Sequence, residues 1–182
     1  MNTSDKLHII SGGPGSGKSS LLAALRQHGF KTMPEAGRAI IQDQVAIGGT
    51  ALPWADRLAF AELMLGWELR SHHEACGLTE PVFFDRGVPD VIGYLRVCGL
   101  DVPEHMHTAA TRFRYNKRVF LAPPWREIFH EDAERKQSWD EAVATFESMV
   151  STYESLGYEI ALLPLASAEE RSAFVLGQTA TP

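Results

Sequence analysis

Ser11-Gly12-Gly13-Pro14-Gly15-Ser16-Gly17-Lys18-Ser19-Ser20 decides the fold of this chain. From Gly12 to Ser19 it fits G-x-x-x-x-G-K-[ST], after the apolar run Leu7-His8-Ile9-Ile10 and before the helix-like Leu21-Leu22-Ala23-Ala24-Leu25. Wrapping a phosphate chain requires consecutive backbone N–H groups to point inward, in conformations that glycine reaches without steric penalty. Gly12, Gly15 and Gly17 supply that freedom, with Gly13, Pro14, Ser16 and Ser20 completing the loop. The helix that follows adds its unpaired N–H groups and the positive end of its dipole. Lys18 then reaches the β- and γ-phosphates, and the Ser19 hydroxyl binds Mg²⁺. The stretch therefore predicts a nucleoside triphosphate site.

The chain has 182 residues, of which 45% are apolar and 22% charged, as in an ordinary folded domain. A single domain over residues 1–182 is expected. The net charge of −6 argues against a broad nucleic-acid or anionic-membrane surface, so substrate anions must be met locally. Cys76 and Cys98 lack metal or disulfide spacing and read as buried thiols. The polar start and the strand-length apolar run behind it predict neither a signal peptide nor a span, with a cytoplasmic location as the default. A homodimer is left open.

Strands are predicted at residues 7–10, 30–33, 81–85, 118–122 and 158–163, each followed by helical periodicity. The alternation predicts an α/β fold, a three-layer α/β/α arrangement with a five-stranded parallel sheet and ligands at the carboxyl ends of the strands. One helix is expected from Trp54 to about His73, with Trp54, Trp67 and Trp139 in the core and His72-His73 on a helix surface. Residues 123–137 are rich in charge and read as a small lid carrying a short helix at Arg126 to Phe129.

Asp85 ends the third strand and reads either as a second support for the metal or as a cap of the next helix. Arg86 reads either as a substrate or phosphate contact or as the partner of Asp90 one turn on. Glu35, just past the second strand, is placed to orient or deprotonate an acceptor hydroxyl, or else favours the dipole of its helix. Arg38, one turn later, is its salt partner or a substrate contact, and Asp90 joins the substrate-binding set. Within the lid, Arg135 is the candidate for neutralising charge on a transferring phosphoryl group, against a solvated loop as the alternative. Arg126 and Lys136 read as solvated. The turn at Pro164 to Ser167, after the fifth strand, is a backbone contact for adenine.

The phosphate loop, Pro34-Glu35-Ala36-Gly37-Arg38, Phe84-Asp85-Arg86-Gly87, Ala122-Pro123-Pro124-Trp125, Asp132-Ala133-Glu134-Arg135 and Glu169-Glu170-Arg171 occur in that order. Together they resemble the small AAA-type predicted ATPases among P-loop NTPases, a family that includes the ribosylnicotinamide kinase domain of the bacterial NAD regulator. The resemblance implies ATP and Mg²⁺ as cofactors and a nucleoside- or nucleotide-kinase-like core with a lid. The placement of Glu35 and Asp85-Arg86 is similar to that in deoxynucleoside kinases. The expected function is transfer of the ATP γ-phosphate to an unknown small-molecule acceptor, with a nucleotide-dependent ATPase or switch acting on a protein partner as the alternative.

Overall fold

A computed structural model describes residues 3–129 and 138–179 of the chain. Five strands form one sheet: β1 (Leu7–Gly12), β2 (Lys31–Met33), β3 (Val82–Asp85), β4 (Arg118–Ala122) and β5 (Glu159–Leu162). Their order is β2-β3-β1-β4-β5, and every pairing is parallel. The crossovers are α1 (Lys18–Gln27), α2 (Ala36–Ile47), α3 (Arg57–Cys76), α4 (Val88–Val97), α5 (Glu104–Arg112) and α6 (Trp139–Ser155), with α7 (Ala168–Thr179) closing the chain.

The central strands are buried on both faces, and their side chains alternate between two cores. Leu7, Ile9, Val82, Phe84, Val119 and Leu121 pack with Leu65, Ile92, Met106, Met149 and Tyr153 from α3 to α6. Ile10, Phe83, Phe120 and Ala122, offset by one residue, pack with Leu21, Leu22, Leu25 and Val175 from α1 and α7. That alternation gives the three expected layers. A third cluster, Ala36, Ile40, Ile41, Leu52 and Phe60, joins α2 to α3. Among the described residues no helix is long and apolar enough to cross a membrane.

Three expectations change. Helix α3 starts at Arg57 because Asp56 caps it, accepting from the Ala59 N–H at 2.9 Å. Trp54 therefore lies in the preceding turn and is 59% exposed instead of buried. His72 is buried, not on a helix surface: its ring packs edge-on against Phe113 and Tyr115, and Nε2 lies 3.0 Å from the Arg114 carbonyl. A ring nitrogen satisfied by backbone removes most of the cost of burying a histidine.

Candidate active site

The phosphate loop leaves the carboxyl end of the central strand with Gly12, Gly15 and Gly17 at φ 133, 67 and 82. The packing around it excludes side chains as firmly as the backbone does. A Cβ on Gly12 would stand 2.4 Å from the Ala122 carbonyl oxygen, and one on Gly13 would stand 2.4 Å from that of Ala142. The loop is thus wedged between β4 and α6. Ser16 Oγ donates to the Gly13 carbonyl at 2.7 Å, which closes the loop on itself.

Lys18 opens α1 and is buried, with Nζ 2.7 Å from the Gly13 carbonyl oxygen and 3.3 Å from Ser16 Oγ. Burial, helped by the nearby Arg86 guanidinium, lowers its pKa from 10.5 to about 8. Ser19, the next residue, is exposed at the same helix start.

The sheet order sets Asp85 beside the loop, since Asp85 is in register with Ile10. It is 8% exposed, and its Oδ1 has no hydrogen-bond partner among the described residues. Burial raises its pKa, with Lys18 pulling the other way. A carboxylate oxygen without a partner among the described residues, at the strand end next to the phosphate loop, suits a hard cation such as Mg²⁺. Among the described residues no group of three His, Cys, Asp or Glu side chains could hold a metal, so an ion here would draw its other ligands from phosphate oxygens and water.

Arg86 follows with φ 74, a left-handed conformation that costs a non-glycine residue about 1–2 kcal/mol. The surroundings hold it there. Its N–H donates to the Ile10 carbonyl at 3.0 Å, Nε lies 3.3 Å from Glu35 Oε1, and Nη1 lies 3.1 Å from Asp90 Oδ1. Burial alone would lower its pKa, but Glu35, Asp90 and Asp85 together hold it above the ordinary value. Glu35 is the N-cap residue of α2, and its side chain makes no cap hydrogen bond. It turns instead to Arg86.

Asp90 stands one turn on from Arg86 as its partner, one of the two alternatives that the sequence offers for Arg86. Oδ1 accepts from Ser11 Oγ and Arg86, and Oδ2 accepts from the Gly87 N–H at 3.0 Å and from the Tyr153 hydroxyl. Four protein donors fill its lone pairs. Asp90 thus positions Arg86 at the edge of the cavity that both residues line. Arg38 is exposed and stands outside the nearby cavity. Arg135, the expected phosphoryl contact, lies outside the described residues, as does much of the expected lid. Arg126 sits over the Trp139 ring at 4.8 Å.

Two cavities flank the loop. The larger, of about 380 Å³, is lined at one end by Pro14, Glu35, Arg86 and Asp90 and elsewhere mainly by apolar and aromatic side chains of α2, α3, α4 and α6, with Arg57, Glu68, Glu141 and Thr145 among them. The smaller, of about 260 Å³, is lined by Gly17, Ser20, Trp125 and the Ala166-Ser167-Ala168 turn. Arg171 is also in its lining, and in the sequence it carries no signal beyond the family resemblance. It donates to the Ser16 carbonyl and the Pro164 carbonyl, both at 2.7 Å, and lies over Trp125 at 4.8 Å, with a buried Nη2 that has no partner among the described residues. Glu68, buried in the wall of the larger cavity, was missed because mid-helix position carries no motif.

A sequence family described as an AAA domain matches residues 7–171. Among solved structures, NadR protein in complex with NR is similar with a TM-score of 0.71 at 15% identity, over 97% of this chain and 52% of that one. The chain thus spans about half the length of that protein. Deoxyadenosine kinase from M. mycoides with bound dATP has a TM-score of 0.55 at 13% identity, covering 96% and 100% of the two chains. Shikimate kinase from Acinetobacter baumannii in complex with shikimate has a TM-score of 0.60 at 11% identity, covering 95% and 92%. These likenesses show a common fold. No curated protein matches the chain at a significant level.

Proposed function

The chain belongs to the AAA domain family, and from that premise we propose that it is an ATP-dependent phosphotransferase acting on a hydroxyl group of a small metabolite, in the class of nucleosides and nucleotides. The carrying observation is that the phosphate loop lies between two cavities, with Gly17 lining one and Pro14 the other. A hydrolase needs space for a nucleotide and water. A phosphotransferase needs a second, shaped space whose reactive end meets the γ-phosphate. The Glu35–Arg86 pair at that end of the larger cavity supports the second case.

In this reading the smaller cavity takes the nucleoside of ATP, with the turn at Ala166 to Ala168 beside adenine and the Arg171–Trp125 stack as a wall. The loop N–H groups and Lys18 hold the triphosphate. Ser19, with Asp85 in support, would hold Mg²⁺, which would supply charge neutralisation for the transferring phosphoryl group. Glu35 accepts a hydrogen bond from the acceptor hydroxyl and takes its proton as the bond to phosphorus forms, while ADP leaves. Arg86 faces the same end and neutralises charge there. Among proteins of this fold, a deoxyadenosine kinase binds dATP and a shikimate kinase binds shikimate, a nucleotide and a small hydroxyl compound.

The test is a panel of hydroxyl-bearing metabolites incubated with ATP and Mg²⁺, with phosphorylated products read by mass spectrometry. Transfer to at least one compound, faster than hydrolysis, is expected. ATP consumption that never exceeds background hydrolysis with any compound would replace the phosphotransferase by an ATPase or switch.

A further inference from the structure

Glu68 stands midway along α3 and is 4% exposed, yet its carboxyl meets no hydrogen-bond partner among the described residues. It opens into the larger cavity beside Met64, one turn earlier, and Phe60, two turns earlier. An acid buried without a partner costs more than a hydrogen bond returns, so such a group in a cavity wall marks a contact to be completed by a ligand. The same cavity has its reactive end at Glu35 and Arg86 and walls of Trp54, Tyr94 and Met149. Phe60 and Tyr94 meet edge to face, with centroids 5.5 Å apart. Flat, polarisable walls of this kind select a planar ring.

We propose that Glu68 is the specificity-determining residue of the acceptor site, its carboxyl hydrogen-bonding the edge of a planar heterocycle that carries a donor and an acceptor side by side, as a nucleoside base does. The inference rests on the phosphotransferase reading of this site and names its substrate class. Burial, reinforced by Asp90 and Asp85 and opposed by Arg86, pushes the Glu68 carboxyl well above the usual range. The favoured neutral form is both donor and acceptor, which is the pattern an amide or amino-heterocycle edge complements. A group wholly dedicated to hydrogen bonding rejects ligands that lack the partner, because binding them leaves it buried and unpaired.

The experiment uses the full chain as wild type, Glu68→Gln and Glu68→Leu, with melting curves to establish folding. Adenosine, guanosine, cytidine, uridine and thymidine are compared with ribose and shikimate, which bring hydroxyls without a base. Phosphorylation is followed with ATP and Mg²⁺, and binding by calorimetry with a non-hydrolysable ATP analogue. Expected is a preference for a nucleoside, with KM and Kd rising about 10- to 100-fold in Glu68→Leu while kcat stays within about threefold, and recovery in Glu68→Gln, whose amide keeps a donor and an acceptor. Preference for ribose or shikimate, or equal nucleoside affinity in wild type and Glu68→Leu, overturns the assignment. If nothing is phosphorylated, the phosphotransferase reading fails and calorimetry alone judges Glu68. Absent nucleoside binding, or binding that Glu68→Leu leaves unmoved, then overturns it. Should Glu68→Leu not fold, Glu68→Met, matched in length, takes its place in both measurements.

Discussion

Glu35 Oε1 lies 3.3 Å from Arg86 Nε although the two residues are 51 positions apart, and the carboxylate that two neighbouring strand ends bring to one guanidinium belongs to no local motif. Arg86 is shared, since its Nη1 also holds Asp90. The Arg86 and Glu35 side chains are 14% and 21% exposed, so the pair is screened little by water.

Arg86→Met leaves Glu35, Asp90 and Asp85 without their common counter-charge. Removing one partner of a largely buried pair costs about 3 kcal/mol, which urea denaturation measures directly. Glu35→Gln is milder for the fold and harsher for transfer. A loss of about 100-fold or more in kcat with ATP affinity unchanged is expected, and full activity would return Glu35 to a purely structural place at the start of α2.

Lys18 carries a pH signature. Its folded pKa of about 8 lies below the ordinary 10.5, so the unfolded chain binds this proton more tightly. Below pH 8 the buried charge costs stability in full, about 3 kcal/mol, and the cost fades as pH rises from 8 to 10.5. Lys18→Met should therefore be more stable than wild type at pH 7, offset by its lost hydrogen bond to Gly13, and the advantage should shrink towards pH 10.5. Paired urea titrations at pH 7 and 10 check this, and a difference independent of pH contradicts it. Triphosphate binding should fall sharply in the same variant.

His8 gives the opposite limb. It lies in β1, stacked on Phe83 with centroids 5.3 Å apart, and burial lowers its pKa from 6.5 to about 4. Between those values the unfolded chain takes up a proton that the folded chain refuses. Stability is lost as pH falls from 6.5 to 4, by about 3 kcal/mol from this residue alone. His8→Phe keeps the stacking and should move the acid-unfolding midpoint to lower pH, as followed by circular dichroism.

Gly13→Ala probes packing between the loop and α6. The new Cβ would stand 2.4 Å from the Ala142 carbonyl oxygen, a backbone atom with no rotamer to change. A loss of about 1–3 kcal/mol with weakened triphosphate binding is expected. An unchanged melting temperature would mean that α6 yields freely.

Much of the architecture was legible before the fold. Strand patterns, the glycine loop and the first turn of α1 are local, because backbone preference and side-chain periodicity act over a few residues. The carboxylates at the ends of β2 and β3 could be nominated on the same basis. Helix α3 begins three residues later than its apolar spacing suggests, because that spacing extends through Trp54 while the cap is Asp56.

By itself, then, the sequence determined a parallel α/β chain with a phosphate loop and two acidic strand ends. The tertiary structure decided what those groups face. The strand order β2-β3-β1-β4-β5 brought Glu35 to Arg86, filled Asp90 with four protein donors, turned Glu68 into a cavity and set Arg171 against Ser16, 155 residues away. Such contacts follow from which surfaces pack together, and packing is a property of the whole fold that no window of neighbouring residues contains.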